Sequence, residues 1–122
     1  MAGPPAAVPA EAAAAGHTVG LHSFTHDPLG RWDFAEAWGE VRAGRDALAD
    51  AGVTDGGLYR PPLGRLNPAE VLAAWRFGYR LAGWSLDAND WRVRSADEAA
   101  RCGAETAAAA RPGDVILLHD AH

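Results

Sequence analysis

Two histidines stand four residues apart in the segment His22-Ser-Phe-Thr-His26. On a helical turn, side chains at i and i+4 share a face and lie about 6 Å apart, close enough for two imidazoles to hold one metal ion. On an extended strand they would also share a face, but too far apart for one small ion. No glutamate follows His22, which excludes the helical zinc-protease arrangement. A catalytic metal normally takes three protein ligands, and this pair supplies two. The plainer alternative is a pair of polar loop histidines.

His119 ends the aliphatic run Val115-Ile-Leu-Leu118. It is either a hydrogen-bonded histidine at a sheet rim or a general acid or base, since imidazole titrates near neutrality. A carboxylate such as Asp90, holding one ring nitrogen, would favour the charged ring. Asp120 reads as a cap on the following turn. Arg60 precedes two prolines, and a buried guanidinium there would call for a carboxylate. The alternatives are a site residue and a structural ion pair to a helix end. Trp91, beside Asp90, either packs in the core or offers its face to a sugar ring. Asp87 is a loop cap or a neighbour of the site. His17 and His122 have nothing to mark them as ligands. Cys102, in an alanine-rich helix, reads as a small buried residue, and Trp32, Trp38, Trp75 and Trp84 read as core.

Positioning these residues requires alternating strands and helices. A short alanine-rich helix is expected over 9–15, closed by Gly16, and a weak strand over 17–21. Phe34, Trp38, Val41 and Leu48 recur at helical steps, giving a helix over 33–51 that opens with Asp33 and Glu36 and stops at Gly52. Residues 58–60 read as a strand ended by Pro61-Pro62. Asn67-Pro68-Ala-Glu70 is a helix start, and that helix runs to Phe77 before Gly78. A strand over 79–85, a helix from Ser95 to about 110, a turn over 111–114 and a strand over 115–118 complete the pattern. The last strand reads as buried on both faces. This predicts an α/β fold of mostly parallel strands alternating with helices, as in a sheet or barrel. Such folds bind ligands at the carboxyl ends of strands. His22–His26, Arg60–Gly64, Asp87–Trp91 and His119 each follow a predicted strand, so four polar clusters would meet on one rim.

Composition narrows the function classes. The chain has 122 residues, 48% of them hydrophobic and 22% charged, which fits one small globular domain spanning 1–122. A single cysteine excludes an internal disulfide framework. No apolar run approaches the roughly 20 residues of a membrane-spanning helix. All eleven cations are arginine, the net charge is -5, and a nucleic-acid surface is not expected. The first ten residues lack the charged and leucine-rich regions of an export signal, which leaves location open.

Four motifs appear in order: Gly16-His-Thr-Val-Gly-Leu-His-Ser-Phe-Thr-His26, Arg60-Pro-Pro-Leu-Gly64, Trp84-Ser-Leu-Asp-Ala-Asn-Asp-Trp91 and Gly113-Asp-Val-Ile-Leu-Leu-His119. Over about residues 10–122 the chain resembles the polysaccharide deacetylase family, the NodB homology domain. The resemblance implies a distorted (β/α) barrel, here partial, that removes N- or O-acetyl groups from carbohydrates with a divalent metal, commonly zinc. It implies that His22 and His26 are metal ligands and that Arg60 pairs with a catalytic aspartate. It implies that the backbone N–H of Leu63 helps bind the oxyanion, at a position often aromatic in the family. It further implies that Asp90 tunes the general acid His119 and that Trp91 lines the groove. The substrate implied is an acetylated carbohydrate.

One family motif is missing. The Asp-Asp sequence that supplies the general base and third metal ligand should precede His22, where Glu11 is the only acid. The expectation is therefore a domain without its first strand, shortened at both ends and weakly active, with an exposed sheet edge open to self-association. The competing reading is a non-catalytic carbohydrate- or metal-binding remnant of the same fold. Another barrel metallohydrolase is less favoured, because its histidine pair would be spaced differently.

Overall fold

The computed structural model describes residues 7–26, 31–64 and 67–119. Asp120 and His122 lie outside them. The chain divides into two compact units, Met1–Ala82 and Gly83–His122.

In the first unit, helix α1 (Ala7–Ala14) starts two residues earlier than the alanine pattern suggests and buries none of its residues. Helix α2 (Phe34–Asp50) is capped by Asp33, whose carboxylate accepts the Glu36 N–H at 2.8 Å. Helix α3 (Pro68–Arg76) begins with Asn67 accepting the Ala69 N–H and with a proline at the first turn. Strand β1 (Leu58–Tyr59) pairs parallel with β2 (Arg80–Leu81). The predicted first strand, 17–21, is reduced to one parallel bridge, Leu21 opposite Tyr59. Its backbone bonds still form a ladder: the Leu21 N–H donates to Leu58 and the Arg60 N–H to Leu21, both at 2.8 Å. Gly20 weakens this segment as a strand but admits the neighbouring chain, since a Cβ there would stand 3.0 Å from the Leu58 carbonyl oxygen.

The core of this unit is Leu21, Ala37, Val41, Tyr59, Ala73, Ala74 and Tyr79, where α2 packs against α3. Trp32 and Trp38 pack against it, and the Trp38 and Phe77 rings stack with centroids 4.0 Å apart. Trp75 does not belong to it. Glu70, Ala73 and Ala74 form the buried stripe of α3, which leaves Leu72 and Trp75 on the opposite face; Trp75 is 65% exposed.

The second unit pairs β3 (Leu86–Asp87) parallel with β4 (Ile116–Leu117) and carries helix α4 (Ala96–Ala109), capped by Ser95. Of the strand expected over 79–85 only Arg80–Leu81 forms, as β2 in the first unit; β3 lies just beyond it, in the second unit. Next to β3, the Ser85 backbone N–H donates to the Val115 carbonyl at 2.9 Å, and its hydroxyl donates to Asp114 at 2.8 Å and accepts the Val115 N–H at 3.0 Å. Strand β4 is not buried on both faces. Val115 is 48% and Leu118 61% exposed, and no described residue of this unit is fully buried. Within the unit, β4 has one hydrogen-bonded neighbour, β3, and a two-stranded ladder cannot enclose an aliphatic run. Trp84 is exposed as well, and Cys102 is half-buried with its thiol 3.2 Å from the Ala88 carbonyl oxygen. No helix among the described residues is long and apolar enough to cross a membrane.

Candidate functional site

The predicted site residues fall into two clusters, one in each unit. In the first, His22 leaves the bridge residue Leu21 and meets the end of β1: its Nδ1–H donates to the Arg60 carbonyl at 2.6 Å. That bond leaves Nε2 of the neutral ring as the lone-pair donor. The His26 ring stands edge-on to it, with centroids 4.7 Å apart and planes at 67°. The two imidazoles are neighbours, and the segment joining them is not helical. Ser23 and His26 both take positive φ, 58° and 52°. The Ser23 hydroxyl accepts the His26 N–H at 3.0 Å and ties the loop across its own width.

Arg60 donates its Nε–H to the Ala82 carbonyl at 3.0 Å, a backbone partner. Leu63 follows in a short 3₁₀ turn, with φ 57° and its side chain 59% exposed. A branched residue is seldom held in this left-handed region, which costs roughly 1–3 kcal/mol. The non-glycine residues with positive φ are Ser23, His26, Leu63 and Asn89. All of them lie in the loops that the sequence motifs single out, and none lies elsewhere among the described residues.

In the second unit, Asp90 opens a 3₁₀ turn (Asp90–Arg92) after β3, and His119 follows β4. The pairing of the two strands brings them together. His119 Nδ1–H donates to Asp90 Oδ1 at 2.8 Å, and the His119 backbone N–H donates to Oδ2 at 2.6 Å. The side-chain bond to His119 holds the Asp90 carboxyl below the usual aspartate range, with partial burial opposing it and the backbone bond adding to it. Asp87 is a loop cap: its carboxylate accepts the Asn89 N–H at 2.8 Å, supporting the left-handed Asn89. Trp91 is 49% exposed rather than packed in a core, with the Arg92 guanidinium 4.7 Å from its ring centroid.

Two acids escaped the motif reading. Glu40 anchors the His22–His26 loop: Oε2 accepts the N–H groups of Phe24 and Thr25 at 3.0 and 2.9 Å, and Oε1 accepts the Thr25 hydroxyl at 2.9 Å. The signal was present. Glu40 lies three after Ala37 and four before Gly44, both buried on α2, so its carboxylate shares the inward face. Glu70 reads from sequence as a helix-start residue, yet it is 2% exposed and accepts a hydrogen bond from the fully buried Tyr59 hydroxyl. Burial raises the Glu70 carboxyl above the glutamate range while the Tyr59 bond works against that rise. The Tyr59 phenol is itself pushed up, first by burial and then by Glu70.

A sequence model of the family described as polysaccharide deacetylase matches residues 5–82. The chain belongs to the polysaccharide deacetylase family. Among curated relatives it is 34% identical over 99 residues to a bifunctional xylanase/xylan deacetylase of Cellvibrio japonicus, covering 81% of this chain and 14% of that protein. It is 34% identical over 113 residues to a chitooligosaccharide deacetylase of a Bradyrhizobium strain, covering 89% of this chain and 49% of that protein. The chain therefore spans half or less of these relatives. Among solved structures, a family 4 carbohydrate esterase from Streptomyces lividans, in complex with acetate, superposes with a TM-score of 0.81 and 27% identity, over 93% of this chain and 57% of that one. The partial (β/α) barrel expected from sequence is the fold of this family, represented here by helices alternating with parallel strand pairs.

Family membership also points to a divalent metal. The donor set fits one in part. Two adjacent imidazoles, one oriented through its Nδ1–H by a backbone carbonyl, are what a metal-bound histidine pair uses. Among the described residues, no set of three or more His, Cys, Asp or Glu side chains is gathered as one metal cage.

Proposed function

We propose that this chain carries part of the machinery of a metal-dependent hydrolase that removes N- or O-acetyl groups from a carbohydrate or polysaccharide. The observation behind this reading is the His22–His26 pair, held edge to face with His22 fixed on the Arg60 carbonyl. His22 and His26 would hold a divalent metal, in this reading zinc. Such a metal, when bound, polarises an acetyl carbonyl and makes bound water more acidic.

The remaining roles belong to the chain's own groups. The Leu63 backbone N–H, set by its left-handed conformation in an exposed turn, would donate to the oxyanion as the carbonyl oxygen gains charge. His119 would deliver a proton to the departing sugar amine or hydroxyl, with Asp90 fixing which nitrogen carries the transferable proton. Arg60 would steady the carboxylate that serves as general base, and Trp91 would pack on a pyranose ring. With two imidazoles as the assigned ligands, the 122 residues alone should bind zinc weakly and turn over slowly. The exposed aliphatic side chains of Val115 and Leu118 would favour self-association.

Zinc titration by calorimetry, together with acetate release from an acetylated chitooligosaccharide, tests the reading. Weak zinc uptake lost in His22→Ala and His26→Ala, with slow zinc-dependent release lost in His119→Ala, is the expected result. Fast release would overturn the weakly active form. Glycan binding without turnover, indifferent to His119→Ala, would replace the hydrolase with a non-catalytic binding module.

A further inference from the structure

We propose that Glu40 is a positioning residue that sets the His22–His26 loop in its ion-ready shape; this rests on the metal reading of the two histidines. Burial does little to hold the loop. Phe24, Thr25 and His26 are exposed, and Ser23 and His26 occupy the left-handed region that non-glycine residues avoid. A loop with two such residues relaxes unless its surroundings fix it.

Glu40 supplies that fixing from a different element. Both N–H groups at the turn, Phe24 and Thr25, converge on the single oxygen Oε2, and the Thr25 hydroxyl takes Oε1. Hydrogen bonds to a carboxylate are the stronger kind. The helix also comes close enough for this contact: at Gly44, one turn on, a Cβ would stand 3.1 Å from the Ser23 carbonyl oxygen. Two devices therefore act on the loop, the Ser23 hydroxyl inside it and the α2 carboxylate beneath it. Together they set the peptide between the histidines, and with it the separation of the rings. The described hydrogen bonds of Glu40 go to Phe24 and Thr25, so its effect on the rings passes through the loop between them.

Amide exchange and zinc calorimetry on the 122-residue chain test this, using Glu40→Ala, Glu40→Gln and the exposed helix control Glu36→Ala. In Glu40→Ala the Phe24 and Thr25 amides should exchange faster and the zinc Kd should rise by about tenfold or more, the range seen when an outer-shell partner of a metal ligand is lost. Glu40→Gln should lie between, because one amide oxygen can still accept both N–H groups, and this variant stands in if the alanine form does not fold. Glu36→Ala should match the wild type in both. Unchanged exchange at Phe24 and Thr25 overturns the clamp. Faster exchange with an unchanged Kd overturns the positioning role and leaves a structural one, which would lower melting temperature alone. A wild-type chain that takes up no zinc removes the metal reading and the positioning role together, while the exchange result still decides whether Glu40 holds the loop.

Discussion

Asp90 holds His119 at two points at once. One carboxylate oxygen accepts the ring Nδ1–H at 2.8 Å, and the other accepts the backbone N–H of the same residue at 2.6 Å. The first bond fixes the tautomer and the second fixes where the ring is hung. The backbone bond also secures the end of β4, whose side chains are too exposed to anchor it by burial.

Asp90→Asn should therefore lower the melting temperature by a few degrees at neutral pH, because an amide offers one acceptor where two are needed. The Asp90 carboxyl titrates below the usual aspartate range, chiefly through its bond to the His119 side chain. A depressed folded-state value adds stability that is present above the ordinary aspartate range, about 3.9, and is lost as pH falls through the lowered one. The stability the carboxylate supplies over Asp90→Asn should be present at pH 5 and fade as pH falls below about 4. Melting curves across pH check this; a gap that widened in acid would contradict it.

Much of this was legible in the sequence because capping and glycine stops are local. Asp33, Asn67 and Ser95 cap the helices they were expected to cap, and Gly52 and Gly78 take positive φ where helices end. Strand extent was not legible. Tyr79 to Ser85 is a good strand by residue type, but only Arg80–Leu81 pairs, with β1, and a separate ladder with β4 begins at Leu86. An aliphatic run such as Val115 to Leu118 predicts a strand without saying what covers it. The histidine and Asp90–His119 clusters were visible as motifs. The inward face of Glu40 follows from helical spacing, but its partner, a backbone turn, does not, and no spacing rule joins Glu70 to Tyr59.

Tyr59→Phe should destabilise the protein by about 1–3 kcal/mol, the usual cost of leaving a buried polar group without its partner. Burial already raises the Glu70 carboxyl, and the Tyr59 hydroxyl opposes that rise; removing it raises the group further. A raised acid stabilises the fold below its folded-state value and ceases to do so as pH climbs through it. The loss in Tyr59→Phe should therefore be larger at pH 8 than at pH 4.5. Urea denaturation at the two values measures it, and equal losses would mean that Glu70 is not the affected group.

Leu63→Gly should be neutral or slightly stabilising, where glycine in regular structure costs about 0.5–1 kcal/mol. The leucine side chain is 59% exposed, so little packing is lost. Its φ of 57° carries a left-handed cost of about 1–2 kcal/mol that glycine escapes. A loss above 1 kcal/mol in urea denaturation would show that the side chain has a packing role that its exposure hides.

Two glycines on helix α2 separate propensity from packing. At Gly39 a Cβ meets nothing within 4 Å, so Gly39→Ala should gain about 1 kcal/mol from helix propensity alone. At Gly44 the same methyl would stand 2.6 Å from Leu21 Cδ1 and 3.1 Å from the Ser23 carbonyl oxygen. Leu21 is 4% exposed within the core and has little room to turn aside. Overpacking of this kind costs about 1–3 kcal/mol, which exceeds the propensity gain, so Gly44→Ala should be net destabilising by about 1 kcal/mol. The strain also falls on the Ser23 carbonyl, inside the loop that Glu40 fixes. Exchange at the Phe24 and Thr25 amides should therefore quicken in Gly44→Ala and stay unchanged in Gly39→Ala. If both alanines stabilise the chain equally, then α2 does not approach the histidine loop as closely as its glycine implies.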